Sequence, residues 1–102
     1  MDASDPVFLR TLGKIKDPNL RSEIVATLRS FLLLSVSEIP DKRKFHKLVN
    51  KPVPSVLDPK QNVGAWSCHV TANDAYKASF TFEGGVMYMR QVDEHDRIDK
   101  RP

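Results

Sequence analysis

The chain reads as an α+β protein, an N-terminal helical hairpin packed on a small twisted antiparallel sheet. Three observations predict this class. Apolar residues recur at helical spacing through residue 34, they alternate with period two from Trp66 onward, and Gly84-Gly85 divides the alternating stretch at a hairpin turn. Helices first and strands afterwards place the helices over one face of the sheet.

Each element follows from local chemistry. Asp5-Pro6 and Asp17-Pro18 put a side-chain acceptor at N-cap and a proline at N1, where its missing N–H costs nothing. Phe8, Leu12 and Ile15 then mark a helix over residues 6–15. Leu20, Ile24, Leu28 and Phe31, with Thr27 on the same stripe, mark a second over residues 18–34. The short connection makes an αα-hairpin. Pro40, Pro52, Pro54 and Pro59 break up the middle of the chain. It reads as a short strand at residues 45–49 and a mobile, positively charged loop at residues 50–62.

Three antiparallel strands follow. Trp66, Cys68 and Val70 alternate with Ser67, His69 and Thr71; Tyr76, Ala78, Phe80 and Phe82 alternate with Lys77, Ser79, Thr81 and Glu83. Val86, Tyr88, Arg90 and Val92 alternate with Met87, Met89 and Gln91. A two-residue Gly84-Gly85 turn sets Glu83 opposite Val86, Phe80 opposite Met89, Ser79 opposite Arg90 and Lys77 opposite Val92. A three-residue turn at Ala72-Asn73-Asp74 sets Trp66 opposite Phe80 and His69 opposite Lys77; a two- or four-residue loop would turn Trp66 out to solvent. The face away from the helices then carries His69, Lys77, Ser79, Thr81, Tyr88 and Arg90 and is expected to be open. Such a face suits a nucleic-acid groove; the competing reading is an ordinary solvated sheet face.

Length and composition bound the function. The 102 residues fit one domain, spanning residues 1–102, and exclude a two-domain cofactor enzyme. Cys68 is the only cysteine, so neither a disulfide nor a multi-cysteine zinc finger holds the fold; its alternation with Trp66 and Val70 makes it a small buried thiol. The N-terminus is polar and acidic, unlike a signal peptide, and the aliphatic run Leu32-Leu33-Leu34 is too short to span a bilayer, which predicts a soluble cytoplasmic protein. The net charge of +3 is concentrated in residues 41–62, where Lys42, Arg43, Lys44, Lys47, Lys51 and Lys60 face only Asp41 and Asp58. This segment is either a polyanion-binding patch or a lysine-rich solvated loop. Residues 93–99 form an acidic tail around Arg97. Histidines without close spacing predict no metal site, and no nucleotide-binding loop is present, so no cofactor is expected.

The segments Gly64-Ala65-Trp66-Ser67-Cys68-His69-Val70, Tyr76-Lys77-Ala78-Ser79-Phe80 and Val92-Asp93-Glu94-His95-Asp96 resemble the RelE/ParE superfamily of type II toxin–antitoxin toxins. The likeness is greatest to the HigB branch, with some to YafQ, and extends to the helical hairpin and to Phe45-His46-Lys47-Leu48. The resemblance implies a metal-independent mRNA endonuclease acting on the ribosome and bound by a cognate antitoxin, without membrane or cofactor. Its chemistry is attack by a ribose 2′-OH on the adjacent phosphate, which needs a base, an acid and cations. Carried onto this chain, it nominates His69, Lys77 and His95 as catalytic, and His46 and Lys47 as phosphate-binding; Lys51 of the basic segment and Arg90 of the polar sheet face join them as phosphate contacts. Lys77 stands where the family has arginine, Thr71 where a basic residue is usual, and Glu94 where a tyrosine is common; a clear first strand is missing. These departures also fit a non-catalytic or ParE-like module that binds a topoisomerase, an antitoxin or RNA.

Overall fold

Both Asp-Pro pairs start helices as their chemistry dictates. The Asp5 carboxylate accepts from the N–H groups of Val7 and Phe8 and opens α1 (Pro6–Gly13); that of Asp17 accepts from Asn19 and Leu20 and opens α2 (Pro18–Ser30). Each cap contributes about 1 kcal/mol. The computed structural model describes residues 1–31, 43–73 and 75–102. The expected last turn of α2, residues 32–34, and the turn residue Asp74 lie outside them. α1 ends two residues earlier than the spacing predicts, yet Ile15 is still buried, and Arg21 donates to its carbonyl across the connection.

Among the described residues, four strands form one antiparallel sheet in sequence order: β1 (His46–Pro54), β2 (Asn62–His69), β3 (Tyr76–Glu83) and β4 (Val86–Glu94). β1 corrects the first expectation, because residues 50–54 continue the strand instead of opening a mobile loop. Prolines are tolerated there because β1 is an edge strand. Its pairing with β2 slips between Lys47 and Pro52, and Asn50 adopts a left-handed φ of 56° within the slip.

β2 and β3 pair in the expected register, Trp66 with Phe80 and His69 with Lys77. β3 and β4 begin as expected, with Glu83 opposite Val86 and Phe80 opposite Met89 around a turn whose glycines both have positive φ. The register then shifts past Phe80: Ser79 pairs with Gln91 and Lys77 with Asp93. Arg90 is the additional residue of this bulge, so the expected Ser79–Arg90 and Lys77–Val92 pairs do not form. Val92 moves to the helix-side face opposite Ala78, where it is buried. Ahead of α1 one isolated parallel bridge joins the sheet: Asp2 pairs with Tyr88, donating to the Met87 carbonyl and accepting from the Met89 N–H.

The helix-side core joins Phe8, Ile24, Leu28 and Phe31 to Cys68, Val70, Phe80, Met89 and Val92. Phe45, Trp66, Phe80 and Phe82 form an aromatic cluster at its edge. The opposite face gives the largest correction, because it is not open. The acidic tail folds into α3 (His95–Lys100), which touches β2, β3 and β4 and buries Ile98 completely. Ser67, His69, Lys77, Ser79 and Thr81 are buried with it. Among the described residues, no helix is long and apolar enough to cross a membrane.

Candidate functional site

Alternation along the strands sorts the polar face into rows. Register places His46, Ser67, Ser79 and Gln91 side by side across the sheet, and His69, Lys77 and Asp93 in the next row. At the end of these rows the backbone N–H of His95 donates to the Ala75 carbonyl, starting α3 where its side chain reaches β2.

His69, Lys77 and His95 therefore come together from three elements. The rings of His69 and His95 meet edge to face with centroids 5.3 Å apart. The Lys77 ammonium, whose side chain is 5% exposed, donates to Asp99 Oδ1 at 2.8 Å. Asp99 Oδ2 lies 3.2 Å from His95 Nδ1, so one carboxylate faces both the Lys77 ammonium and the His95 ring. Asp96 lies 3.4 Å from the same nitrogen but is almost fully exposed, where solvent screens it. His69 is buried, and the His95 side chain is about one-third exposed, at 38%. Two imidazoles and an ammonium can in principle move protons and stabilise an anion. His95, Asp96 and Asp99 also bring three potential ligand atoms within 4.8 Å of one another. Asp99 is already neutralised by Lys77, which disfavours a second cation there.

The phosphate-binding nominees divide. His46 and Lys47 are exposed neighbours whose side chains leave opposite faces of β1; His46 Nδ1 donates to the Lys44 carbonyl at 2.7 Å. The Lys47 stem lies over Gly64, where any Cβ would collide with it. Lys51 and Arg90 meet in a separate cleft of about 390 Å³, together with Lys100 and Arg101. Arg90 is half-buried, and desolvation lowers its pKa against the pull of Asp5 and Glu83. Burial pushes Glu83 up, but hydrogen bonds from Ser55, the Val56 N–H and Thr81 outweigh it and hold the carboxyl below its usual range. Burial pushes the Cys68 thiol up to about 12, so it is a packing group and not a nucleophile.

Sequence reasoning missed Asp99, Lys100 and Arg101. The signal for α3 was slight: Ile98 alone in a polar tail, and His95 and Asp99 four residues apart. No family model, curated protein or solved structure matches this chain.

Proposed function

We propose that this chain is the toxin of a type II toxin–antitoxin pair, an endoribonuclease of the RelE/HigB kind that cuts translated mRNA in the cytoplasm and is silenced by a cognate antitoxin. The observation that carries the reading is the convergence of His69, Lys77 and His95, nominated from separate segments, around Asp99. In the proposed reaction a bond forms between the ribose 2′-O and phosphorus, and the bond from phosphorus to the 5′-O breaks. One imidazole takes the 2′-OH proton and the other returns a proton to the 5′-O. His95, the more accessible ring, fits the first contact with RNA, and the Lys77 ammonium fits the charge that grows on the phosphoryl oxygens. No step requires a metal or a cofactor.

A second reading, a binding module without cleavage, is favoured by the burial of His69 and by the tight pairing of Lys77 with Asp99. Induced expression without antitoxin, followed by primer extension on a translated reporter, separates the two. The endonuclease produces growth arrest with discrete new 5′ ends that disappear in the His69→Ala/His95→Ala double variant. Arrest without new ends supports the binding module, and cleavage unchanged in the double variant refutes the residue assignment.

A further inference from the structure

We infer that the cleft lined by Lys51, Arg90, Lys100 and Arg101 is a phosphate-binding subsite that holds one nucleotide unit of single-stranded RNA. The inference rests on the RNA-directed reading above, and it concerns a cleft distinct from the histidine cluster.

The charge pattern is the first argument. Cations from β1, β4 and the end of α3 converge in the cleft, and among the described residues its lining contains no acidic group. Among the described residues, none of the four forms an ion pair. Their nearest bonds are weak: Lys51 Nζ reaches the Lys100 carbonyl at 3.4 Å, and Arg90 Nη1 reaches the Pro54 carbonyl at 3.5 Å. A cavity of about 300 Å³ beside the end of α1 is different, since Lys14, Lys16 and Arg97 there are balanced by Asp17, Asp93 and Glu94.

Arg90 gives an independent argument. It is the additional residue of the β4 bulge, and bulges re-aim side chains at functional positions. The re-aimed guanidinium is half-buried, and its Nε is buried with no hydrogen-bond partner among the described residues. Asp5 and Glu83 offset part of the cost of holding a cation this way, and a bound oxyanion would offset more, because a guanidinium fork matches phosphate oxygens.

Size and polarity define the ligand. A volume of about 390 Å³ lies in the range of small-ligand sites and exceeds what a bare ion fills. Asn50 and Gln91 also line it, offering amide donors and acceptors to sugar hydroxyls or a base edge. Lys100 directly follows Asp99, so α3 links the cleft to the histidine cluster.

The test is fluorescence anisotropy with a labelled 2′-O-methyl uridine hexanucleotide, which lacks the free 2′-OH and is not cleaved, over a series of salt concentrations. Lys100 and Arg101 are exposed, so the Lys100→Gln/Arg101→Gln variant is expected to fold, which circular dichroism checks. It should bind about tenfold more weakly or worse, with the salt slope reduced by about 0.7 for each phosphate no longer neutralised. Arg90→Lys should also weaken binding, because the fork is removed. Lys14→Gln/Lys16→Gln should leave binding within about twofold of wild type, the size expected of surface charges outside the site. Equal weakening in both double variants, or none in the cleft variants, would overturn the subsite. Protection of the cleft by inorganic phosphate without any hexanucleotide binding would also overturn it, in favour of a free-anion site. Because the probe cannot be cut, binding in this pattern with no cleavage of natural mRNA would refute the endonuclease and retain the subsite.

Discussion

The central strands of the sheet, β2 and β3, are largely buried on both faces, but by different chemistry. Under α1 and α2 the sheet presents Cys68, Val70, Ala78, Phe80, Met89 and Val92, side chains that need only hydrocarbon against them. On the α3 side it presents Ser67, His69, Lys77, Ser79 and Thr81, which need specific partners once water is excluded; among the described residues the Ser67 hydroxyl has none. Asp99 receives Lys77, the Pro102 carbonyl receives the Ser79 hydroxyl at 2.7 Å, and Glu83 receives Thr81 at 2.8 Å. The first face is held by buried area and tolerates similar shapes. The second is held by complementarity, and the candidate chemistry lies there.

The largest expected effect is on the hydrocarbon face. Phe80 is fully buried against Phe45, Trp66 and Phe82, so Phe80→Ala should cost about 3–5 kcal/mol by urea denaturation. Ile98 is the apolar anchor of the other face, and Ile98→Ala should cost about 2–4 kcal/mol. It should also raise amide exchange selectively in α3, whereas the Phe80 variant should raise exchange throughout the sheet.

The ion pair sharpens the contrast. Asp99→Asn leaves the Lys77 ammonium buried without its counter-charge and should cost about 1–3 kcal/mol, less than a fully buried pair because Asp99 is partly exposed. Lys77→Met, which removes the buried charge and retains most of the volume, should cost less than Asp99→Asn in the same denaturation series. The reverse order would show that Lys77 is hydrated and that α3 does not seal this face.

Near neutral pH the smallest effect is at Cys68, whose titration acts only in alkali. Its thiol titrates near 12 in the folded chain against an ordinary value of 9.0. The folded state therefore holds this proton more tightly, so the contribution to stability is complete below about pH 9 and is lost as pH rises toward about 12. Cys68→Ala should flatten that alkaline fall in a series of melting curves. Alkylation of the native thiol at pH 8 should be slow and should accelerate in urea.

How much the sequence discloses differs between the two faces. The hydrocarbon face was legible because helical and alternating periods report burial in apolar surroundings, and the Asp-Pro and Gly-Gly signals fixed the ends of elements. The polar face was read correctly for membership, since His69, Lys77, Ser79 and Thr81 do share it, and wrongly for exposure. Polar residues on a strand look the same whether water or a helix covers them. The cover, α3, has six residues and one apolar anchor, too short for a periodic signal. The Arg90 bulge was hidden for a related reason: strict alternation through Val92 gives no indication that one residue is extra, and only the packing of Val92 on the helix side selects it. β1 was shortened by its prolines, which an edge strand accommodates.

The central claim is that α3 folds over the polar face and brings His95 to His69. Its most direct test is a nuclear Overhauser measurement between the imidazole ring protons of the two histidines in the wild-type chain. Ring centroids 5.3 Å apart predict a clear cross-peak, which should vanish in Ile98→Ala as α3 undocks. No cross-peak in the wild type, with His95 showing the shifts of a free solvated histidine, would contradict the account.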